Sequence, residues 1–267
     1  MNDIVTQVVS NRQIAPGYHV MVLRAPGYLD VVQPGQFVML RIGSGNDPLL
    51  RRPFGIFRCY DVDGGAVVEL LYKVAGRGTA MMAAMSAGAE VALLGPLGSG
   101  FAPVAARRQV LVAGGIGVAA LYLLARQLRE QEQQVELLLG GRSSADVIAA
   151  AEFEALGVAV RCASEDGSCG HKGYVTDLLD GAGDAAVYAC GPMPMLHAVA
   201  RLCRRYDLPL QVSLEARMAC GVGACLGCVV AGSGHSEQQP RYLCTCTSGP
   251  VFDAAALEWP EEGGAHE

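Results

Sequence analysis

The chain has little charge, and no segment of it gathers charge of one sign. Charged residues make up 17% of the 267 residues, and the net charge of −6 comes without any basic run. Proteins that bind nucleic acid usually carry a basic patch or stripe, so this composition gives no support to nucleic-acid binding. The hydrophobic content of 51% and the 34 glycines instead suit a compact globular protein with many loops.

A membrane-spanning segment and a secretory signal are also absent from the pattern. The longest apolar run, 110–125, is interrupted by three glycines, whereas a transmembrane helix needs about 20 apolar residues. The first seven residues lack the basic and apolar regions of a signal peptide. We therefore expect a cytoplasmic protein without a membrane partner, whose ten cysteines stay reduced and available to bind metal.

The cysteines near the C-terminus lack the paired C-x2-C knuckles of a zinc site. Cys220, Cys225 and Cys228 are spaced C-x4-C-x2-C, which with a distant fourth cysteine is the plant-type [2Fe–2S] pattern. The distant pair, Cys244 and Cys246, is too tightly spaced for a zinc knuckle. The spacing predicts an iron–sulfur cluster, with either Cys244 or Cys246 as its fourth ligand.

The hydrophobic pattern changes twice along the chain and predicts three domains. Residues 1–102 contain short β-rich runs, one of them a predicted strand over 55–60, separated by Pro-Gly and Gly-Gly turns, which indicates a small antiparallel β-barrel. In residues 103–210 strands alternate with helices, which predicts a parallel, doubly wound α/β sheet. Residues 211–267 hold the cysteine module.

A first candidate binding site lies in the predicted barrel. An arginine and the amides at a helix start can hold a pyrophosphate while an aromatic ring packs on a flavin. Taken alone, the same residues fit equally well as surface charges and core aromatics of a barrel. The candidate residues are Arg52, Pro53, Phe54, Gly55, Leu71, Tyr72, Lys73, Gly78 and Thr79.

Two further candidate segments follow predicted strands of the α/β domain. Because ligands of open α/β sheets sit at the carboxyl ends of strands, we expect both segments to face one crevice. The spacing G-x-G-x-x-G is missing, so the first segment alone is equally compatible with a turn that binds nothing, and an isolated Cys-Gly-Pro favours a buried cysteine. The segments are Gly114, Gly115, Ile116 and Gly117, then Cys190, Gly191, Pro192 and Met193.

Together and in this order, these motifs resemble a known family. Residues 1 to about 210 are similar to the ferredoxin-NADP reductase superfamily. The similarity rests on the barrel and α/β motifs and on the run that stands between them, Gly95-Pro96-Leu97-Gly98-Ser99-Gly100-Phe101. The run 213–225, Ser-Leu-Glu-Ala-Arg-Met-Ala-Cys-Gly-Val-Gly-Ala-Cys, and the terminal Gly249-Pro250-Val251-Phe252 narrow the resemblance. They resemble the electron-transfer subunits of NAD-dependent dihydroorotate dehydrogenase, type B.

The resemblance implies a set of cofactors and a partner. It implies FAD in the barrel groove, NAD on the α/β domain, and a [2Fe–2S] cluster facing an FMN-containing catalytic subunit in a heterotetramer. Electrons from dihydroorotate would pass from FMN through the cluster to FAD and on to NAD, within pyrimidine biosynthesis. A flavin fits between a two-electron hydride carrier and a one-electron cluster because it exchanges electrons both singly and in pairs.

The resemblance also implies roles for the candidate residues in the barrel. Arg52 would pair with FAD phosphate, residues 53–55 and 71–73 would line the flavin, and Gly78 with Thr79 would cap the pyrophosphate. Where the family has Ser or Thr, this chain has Gly55, so a backbone N–H has to replace that side-chain hydrogen bond.

In the remaining two domains the resemblance implies further roles. Residues 114–117 would take the phosphates of the nicotinamide nucleotide, and Cys190 would lie near the nicotinamide as the catalytic residue, within the segment 190–193. Counting back from Gly249 favours Cys246 as the fourth cluster ligand, with Cys244 in reserve.

Several alternatives remain at the level of sequence. The chain also suits the flavin subunit of an NADH-dependent ferredoxin-NADP reductase or of a sulfhydrogenase. From another class, a non-catalytic nucleotide-sensing or zinc-stabilised interaction protein fits the same fold. Both NAD and NADP remain possible as the bound nucleotide. Arg142 and Ser143 follow a strand at a place where they can either bind the 2′-phosphate of NADP or cap the next helix.

The cluster assignment predicts a specific spectroscopic result. The purified protein should show both flavin absorbance and an iron–sulfur spectrum, and Cys225→Ser should lose the cluster while keeping the flavin. Absorbance and iron and sulfide analysis of anaerobically prepared protein measure this. Wild-type protein without iron and sulfide would contradict the assignment.

Overall fold

The first part of the chain forms one antiparallel sheet. The computed structural model describes residues 2–43, 45, 47–63, 65–181, 183–236, 238–239 and 241–259. The strands of this sheet are β1 (Asn2–Ala15), β2 (Tyr18–Arg24), β3 (Phe37–Arg41), β4 (Arg52–Gly55), β5 (Arg58–Val62), β6 (Gly65–Lys73) and β7 (Glu90–Leu97). A short helix, α1 (Arg77–Ala83), lies between β6 and β7 in the chain.

This sheet curls on itself as a barrel does. Its strand order is β4-β3-β7-β1-β2-β6-β5, so β4 at one edge is not paired with β6 near the other. Phe54 of β4 nevertheless contacts Tyr72 of β6, with ring centroids 6.0 Å apart. The predicted antiparallel barrel is confirmed. The predicted strand 55–60 is instead split between β4 and β5, with the buried Ile56 and Phe57 at the break.

The second sheet contains most of the remaining strands. A 3₁₀ helix over Gly115–Leu121 leads into α2 (Tyr122–Glu130), and α3 (Ala150–Glu154) and α4 (Met193–Tyr206) follow. The strands of this sheet are β8 (Arg108–Gly114), β9 (Val135–Gly141), β10 (Ala159–Ser164), β11 (His171–Lys172), β12 (Ala185–Cys190), β13 (Leu210–Ser213) and β16 (Val251–Asp253). Their order is β11-β10-β9-β8-β12-β13-β16, and all adjacent strands are parallel except the pair β13 and β16, which is antiparallel.

Both faces of this second sheet are covered, as the prediction of a doubly wound domain requires. Successive side chains of a strand point to opposite faces. Along β8, Leu111 packs in the same cluster as Leu124 of α2, whereas Val112 packs in the cluster that contains Val199 of α4. The apolar run of the sequence is therefore a fully buried strand followed by helix, and the predicted architecture is confirmed.

The C-terminal segment is shared between its own module and the second sheet. A small hairpin of β14 (Val229–Ala231) and β15 (Tyr242–Cys244) belongs to the cysteine module. In contrast, β13 pairs with β12, and β16 returns antiparallel to β13. The predicted boundary between residues 210 and 211 falls inside β13. The division of the chain into domains at this point stays a prediction.

The two sheets share one hydrophobic cluster. Phe57 from the barrel contacts Tyr122 of α2, with ring centroids 4.9 Å apart, and Tyr122 contacts Phe153 of α3 at 5.4 Å. The Arg58 guanidinium lies 4.5 Å above the Tyr122 ring. The barrel therefore packs on the α/β domain through aromatic side chains. Within the described residues, no helix is long and apolar enough to cross a membrane.

This shared core gives a prediction about stability. Phe57 is 1% exposed, so Phe57→Ala should lower the free energy of unfolding by about 3–5 kcal/mol, because it leaves a cavity between the two domains. The control Val5→Ala, at a side chain 72% exposed, should change it by less than about 1 kcal/mol. Denaturant unfolding of both variants measures the difference, and equal effects would contradict a shared core.

Candidate flavin, nucleotide and iron–sulfur sites

Arg52 and the start of α1 lie together on the barrel. A Cβ added to Gly78 would come within 2.8 Å of Arg52 Nε, so the absence of a side chain there lets the arginine lie over the helix start. The guanidinium also donates a hydrogen bond to the Leu50 carbonyl, which helps to orient it. The structure thus brings together the cation and the helix start that the sequence predicts as a pyrophosphate site.

Thr79 holds the turn that precedes this helix. Its Oγ1 accepts hydrogen bonds from the backbone N–H groups of Ala75 at 2.9 Å and Gly76 at 3.1 Å. The same hydroxyl donates to the Gly76 carbonyl at 2.9 Å. Because these contacts occupy the hydroxyl, Thr79 shapes the turn around the candidate phosphate position.

The other barrel residues offer mainly backbone to a flavin. Leu71 and Tyr72 are both buried, and the Tyr72 hydroxyl donates a hydrogen bond to Asn11 Oδ1 at 3.0 Å. Pro53 on β4 pairs with Met39 on β3. A Cβ on Gly55 would meet no atom within 4 Å, so the space beside this backbone is open. Gly55 therefore leaves its backbone accessible, whereas Leu71 and Tyr72 turn their side chains into the core.

Lys73 connects the barrel to the α/β domain. Its Nζ lies 2.8 Å from Asp146 Oδ1, and the Tyr18 hydroxyl donates to the same oxygen at 2.5 Å. Arg142 Nε lies 3.5 Å from Asp146 Oδ2. The hydrogen bonds from Lys73 and then Tyr18 lower the pKa of Asp146 to about 2, so its carboxylate is charged at neutral pH. Sequence reasoning missed Asp146, because its partners are far away in the chain.

The two glycine-containing segments of the α/β domain meet at the carboxyl edge of the sheet. In the parallel pair β8 and β12, Ala113 lies opposite Cys190. A Cβ on Gly117 would come within 2.3 Å of the Cys190 carbonyl oxygen, and one on Gly114 within 2.7 Å of Pro192 Cδ. Both glycines are thus required for close packing of the two turns, which form one continuous surface.

The middle of the first turn and the end of the second face open space. Gly115 has a φ of +52°, a conformation that glycine adopts at low cost, and a Cβ there would meet no atom within 4 Å. Met193, which begins α4, is 45% exposed. Ile116 packs partly against the shared core. The open side of this turn is therefore formed by backbone, as a phosphate site requires.

Cys190 is buried beside a carboxylate. It is 3% exposed, and burial, followed by the negative charge of Glu215, raises the pKa of its thiol to about 12. The thiol is therefore protonated at neutral pH and is not a nucleophile. Glu215 itself is exposed, yet desolvation by the surrounding protein raises its pKa. Glu215 stands in the sequence run 213–225, but its position beside Cys190 follows from the pairing of β12 with β13, which the run alone does not indicate.

The proposed ligand cysteines of the C-terminal module lie near one another. Cys246 N–H donates a hydrogen bond to Cys228 Sγ at 3.4 Å, and electrostatic interactions link the Cys220 thiol to those of Cys225 and Cys246. In the described part of the chain, no three side chains of His, Cys, Asp or Glu lie close enough together to hold a single metal ion. A [2Fe–2S] cluster has two irons and four cysteine ligands, and the chemistry of these four thiols fits it.

Backbone N–H groups point at these sulfurs. Val222 N–H donates to Cys220 Sγ at 3.4 Å, and Gly223 N–H donates to Cys246 Sγ at 3.1 Å. The first of these bonds lowers the pKa of Cys220 to about 6, while burial raises the pKa of Cys246 to about 11. Amide donors of this kind stabilise the thiolates and sulfides of iron–sulfur clusters, so the loop fits the predicted group.

The cysteine loop packs directly on the barrel. Cys228 and Cys246 share a small buried cluster with Phe37 and Met39 of β3. A Cβ on Gly221 would come within 2.6 Å of Met39 Cγ, and its φ of +74° suits glycine. Because β3 also pairs with β4, the cysteine loop and the candidate flavin segment lie on the two sides of one strand.

Comparison with known proteins supports this division of sites. A profile of the iron–sulfur cluster binding domain of dihydroorotate dehydrogenase B matches residues 215–258, and one of the oxidoreductase NAD-binding domain matches residues 111–201. A dihydroorotate dehydrogenase B (NAD(+)) electron transfer subunit from Desulforamulus reducens is 37% identical over 95% of this chain and 97% of its own. The electron transfer subunit from Shouchella clausii is 41% identical over 92% of this chain and 94% of its own.

Solved structures share the fold. The structure of an NADH-dependent reduced ferredoxin-NADP oxidoreductase, described for flavin-based electron bifurcation, has a TM-score of 0.82 and 27% identity, covering 96% of this chain and 90% of its own. The ferredoxin reductase of carbazole 1,9a-dioxygenase has a TM-score of 0.66 and 23% identity, covering 79% and 68%. The second likeness concerns the fold alone.

Fold and sites define an oxidoreductase of the ferredoxin-NADP reductase type, with FAD, NAD and an iron–sulfur cluster as its redox groups. The extent and identity of the sequence matches narrow this class. The chain belongs to the family of electron transfer subunits of dihydroorotate dehydrogenase B (NAD(+)).

The close packing of the two nucleotide-site turns gives a prediction. Gly117→Ala should force the Gly117 and Cys190 turns apart and slow NADH-dependent flavin reduction by about tenfold or more. The control Gly45→Ala meets its nearest atom at 4.0 Å and should leave the rate unchanged. Stopped-flow absorbance of the flavin measures both, and equal rates would show that the packing does not position the nucleotide.

Proposed function

We propose that this chain carries electrons from an FMN-containing dihydroorotate dehydrogenase subunit to NAD⁺, using a [2Fe–2S] cluster and then FAD. When bound, the cluster would supply one-electron transfer, and the flavin would exchange electrons both singly and in pairs, the latter as a hydride. The protein's own contribution is to hold these groups close together, in a fixed order, and away from water. Membership of the dihydroorotate dehydrogenase B family supports this function.

One structural observation supports the order of transfer most directly. Cys228 and Cys246 pack against Met39 of β3, and Met39 pairs with Pro53 in the candidate flavin segment of β4. A single strand therefore separates the proposed cluster ligands from the proposed flavin site. Such a short separation favours direct electron transfer between the two groups.

The contacts of the barrel residues support roles for them in binding FAD. Arg52 would pair with the FAD phosphates, which its position over Gly78 favours. The segments 53–55 and 71–73 would line the flavin, mainly by backbone, and Thr79 would shape the turn that caps the pyrophosphate. In this arrangement Lys73 serves a second purpose, because it also binds Asp146 across the domain interface.

The nicotinamide nucleotide would bind across the two joined turns of the α/β domain. Residues 114–117 would take its phosphates, and residues 190–193 would lie near the nicotinamide. The raised pKa of Cys190 supports a role as a protonated thiol in the floor of this site. The pairing of Arg142 with Asp146 partly neutralises the cation that a 2′-phosphate needs, which supports NAD over NADP.

The choice of the fourth cluster ligand has structural support. Cys246 N–H donates a hydrogen bond to Cys228 Sγ at 3.4 Å, and Cys246 Sγ accepts one from Gly223 N–H at 3.1 Å. Cys244 instead ends β15, where its carbonyl accepts from Thr247 and Ser248. We therefore assign Cys220, Cys225, Cys228 and Cys246 as ligands.

An exposed apolar surface supports docking of the catalytic subunit beside the cluster. Leu226 is 64% exposed within the cysteine loop, and its φ is +54°. Val222 and Val229 nearby are about equally exposed, at 41% and 40%. These three exposed apolar side chains lie within eight residues that also contain Cys225 and Cys228. Exposed apolar side chains close together in a loop favour an interaction site, and this one lies beside the proposed electron entry point. The expected assembly is a heterotetramer with two copies of each subunit.

A second candidate function has a specific observation behind it. The likeness to the NADH-dependent reduced ferredoxin-NADP oxidoreductase, with a TM-score of 0.82, favours a reductase subunit with a different partner. The identity to that structure is 27%, against 36–41% to the dihydroorotate dehydrogenase B subunits, which cover nearly all of both chains. The greater similarity favours the dihydroorotate pathway.

The decisive experiment reconstitutes the proposed complex. The chain is co-expressed with a candidate FMN-containing dehydrogenase, and NAD⁺ reduction is followed on addition of dihydroorotate. Dihydroorotate-dependent formation of NADH supports the proposal. A stable complex with all cofactors present and no such activity would refute it, and ferredoxin-dependent activity would favour the second candidate.

The docking surface predicts a separate effect on assembly. Leu226→Asp should weaken the complex by about tenfold or more, because it places a charge in an apolar interface, while the cluster spectrum is unchanged. Aspartate tolerates the left-handed backbone conformation of Leu226 better than leucine does, so the loop should still fold. The control Val31→Asp, at an exposed barrel position, should not affect assembly. Size-exclusion chromatography and titration calorimetry measure both variants.

A further inference from the structure

Two cysteines outside the cluster module lie in contact. Cys162 lies against the residue that follows Cys169, because a Cβ on Gly170 would come within 3.1 Å of Cys162 Cβ. The two thiols interact, and both side chains are partly exposed. In contrast, Cys59 and Cys203 are 5% and 2% exposed and lie within hydrophobic clusters. The first two therefore form a dithiol that a small reagent can reach.

The turn between these cysteines holds the pair together. Cys162 lies in β10, and the chain returns through residues 165–170 to β11. Gly170, with a φ of +63°, approaches so closely that a Cβ there would lie 2.1 Å from the Cys162 carbonyl oxygen. Ser164 Oγ accepts from Cys169 N–H at 2.8 Å and donates to the Cys169 carbonyl at 2.9 Å. These contacts keep Cys169 beside β10.

The same turn also contacts the loop that follows β9. Ser168 Oγ accepts a hydrogen bond from Ser144 N–H at 2.7 Å, and Asp166 N–H donates to the Arg142 carbonyl at 3.2 Å. This loop, residues 142–146, carries Asp146 and follows strand β9, whose Gly140 pairs with Gly114. Cys169 therefore directly follows Ser168, whose hydrogen bond with Ser144 supports the loop beside the candidate nucleotide site.

We propose that Cys162 and Cys169 are a reversible redox modification site, and that their disulfide weakens binding of the nicotinamide nucleotide. The oxidant is a hydroperoxide. Hydrogen peroxide oxidises Cys169 to the sulfenic acid: the O–O bond breaks and one molecule of water leaves. Cys162, whose pKa is raised to about 11 by burial, then displaces the sulfenic oxygen, so that the S–S bond forms and a second molecule of water leaves. A dithiol reductant reverses the reaction by thiol–disulfide exchange.

The geometry of a disulfide explains the effect on binding. The sulfurs must approach to about 2 Å, which is closer than two unbonded thiols can lie. This movement draws Cys169 and the adjacent Ser168 toward β10 and lengthens the bond between Ser168 and Ser144. The loop 142–146 then loses a support, and the nucleotide site beside it loses affinity. This effect rests on the proposed function, whereas formation of the disulfide does not.

Peptide mapping tests the modification itself. Trypsin cleavage after Arg161 and Lys172 releases one peptide that contains Cys162 and Cys169 as its only cysteines. Treatment of the complete, cofactor-loaded protein with hydrogen peroxide should make this peptide lighter by two hydrogen atoms and resistant to alkylation. Dithiothreitol should restore both alkylation sites. A peptide that stays reduced while the cluster absorbance is retained, or one oxidised only to sulfonic acid, overturns the proposal.

Nucleotide binding tests the consequence. The apparent Kd for NADH is taken from the concentration dependence of flavin reduction, in samples with equal cluster absorbance. Oxidation should raise this Kd by about fivefold in the wild type, reversibly, and should leave it unchanged in Cys169→Ser. The variant Cys162→Ser serves as a second control for the fold of the turn. A mapped disulfide with an unchanged Kd refutes the regulatory role.

The two proposals can fail separately. If NADH does not reduce the flavin in untreated wild-type protein, the proposed function is contradicted, and the effect on nucleotide binding with it. If NADH reduces the flavin normally and oxidation has no effect on Kd, only the redox proposal is contradicted.

Discussion

All three parts of the molecule depend on the packing of one short segment, 249–252. Gly249 and Pro250 lie against Gly98 of the barrel so closely that a Cβ on Gly98 would be 2.5 Å from the Gly249 carbonyl oxygen, which accepts from Ser99 N–H at 2.6 Å. The Pro250 carbonyl accepts from Leu214 N–H after β13 at 2.9 Å, and β16 begins at the next residue. On the side of the cysteine module, a Cβ on Gly249 would lie 3.0 Å from the Thr245 carbonyl oxygen. The segment therefore contacts the barrel, the α/β sheet and the cysteine module.

This constraint matters because the chain connects two kinds of redox chemistry. A nicotinamide exchanges a hydride with a flavin only in direct contact, and a cluster passes single electrons efficiently only over a short distance. The cysteine loop packs on β3, the proposed flavin segment is its neighbour β4, and the Lys73–Asp146 ion pair holds the nucleotide domain against the barrel. In the proposed function, each contact would keep one transfer distance short. The Cys162–Cys169 pair lies in the same nucleotide domain, in β10 and the turn that follows it, two strands from β8.

Sequence reasoning succeeded where the signal is local. Alternating or continuous apolar runs predicted the barrel and the doubly wound sheet, and glycine turns after strands predicted the surface shared by Gly117 and Cys190. It was wrong about the strand 55–60, because a break at two buried apolar residues has no local signature. It missed Asp146 as the partner of Lys73 and Tyr18, because that network forms only when two domains meet.

The spacing of Cys220, Cys225 and Cys228 determined by itself that this loop suits an iron–sulfur cluster, since three ligands within nine residues leave few other arrangements. The choice of Cys246 over Cys244 as the proposed fourth ligand is not contained in that spacing. The count back from Gly249 favours Cys246, and only the tertiary structure brings the Cys246 N–H to 3.4 Å from Cys228 Sγ, while Cys244 ends β15. The reason is physical: spacing along the chain limits what neighbouring residues can bind, whereas packing between distant segments brings the remaining groups within bonding distance.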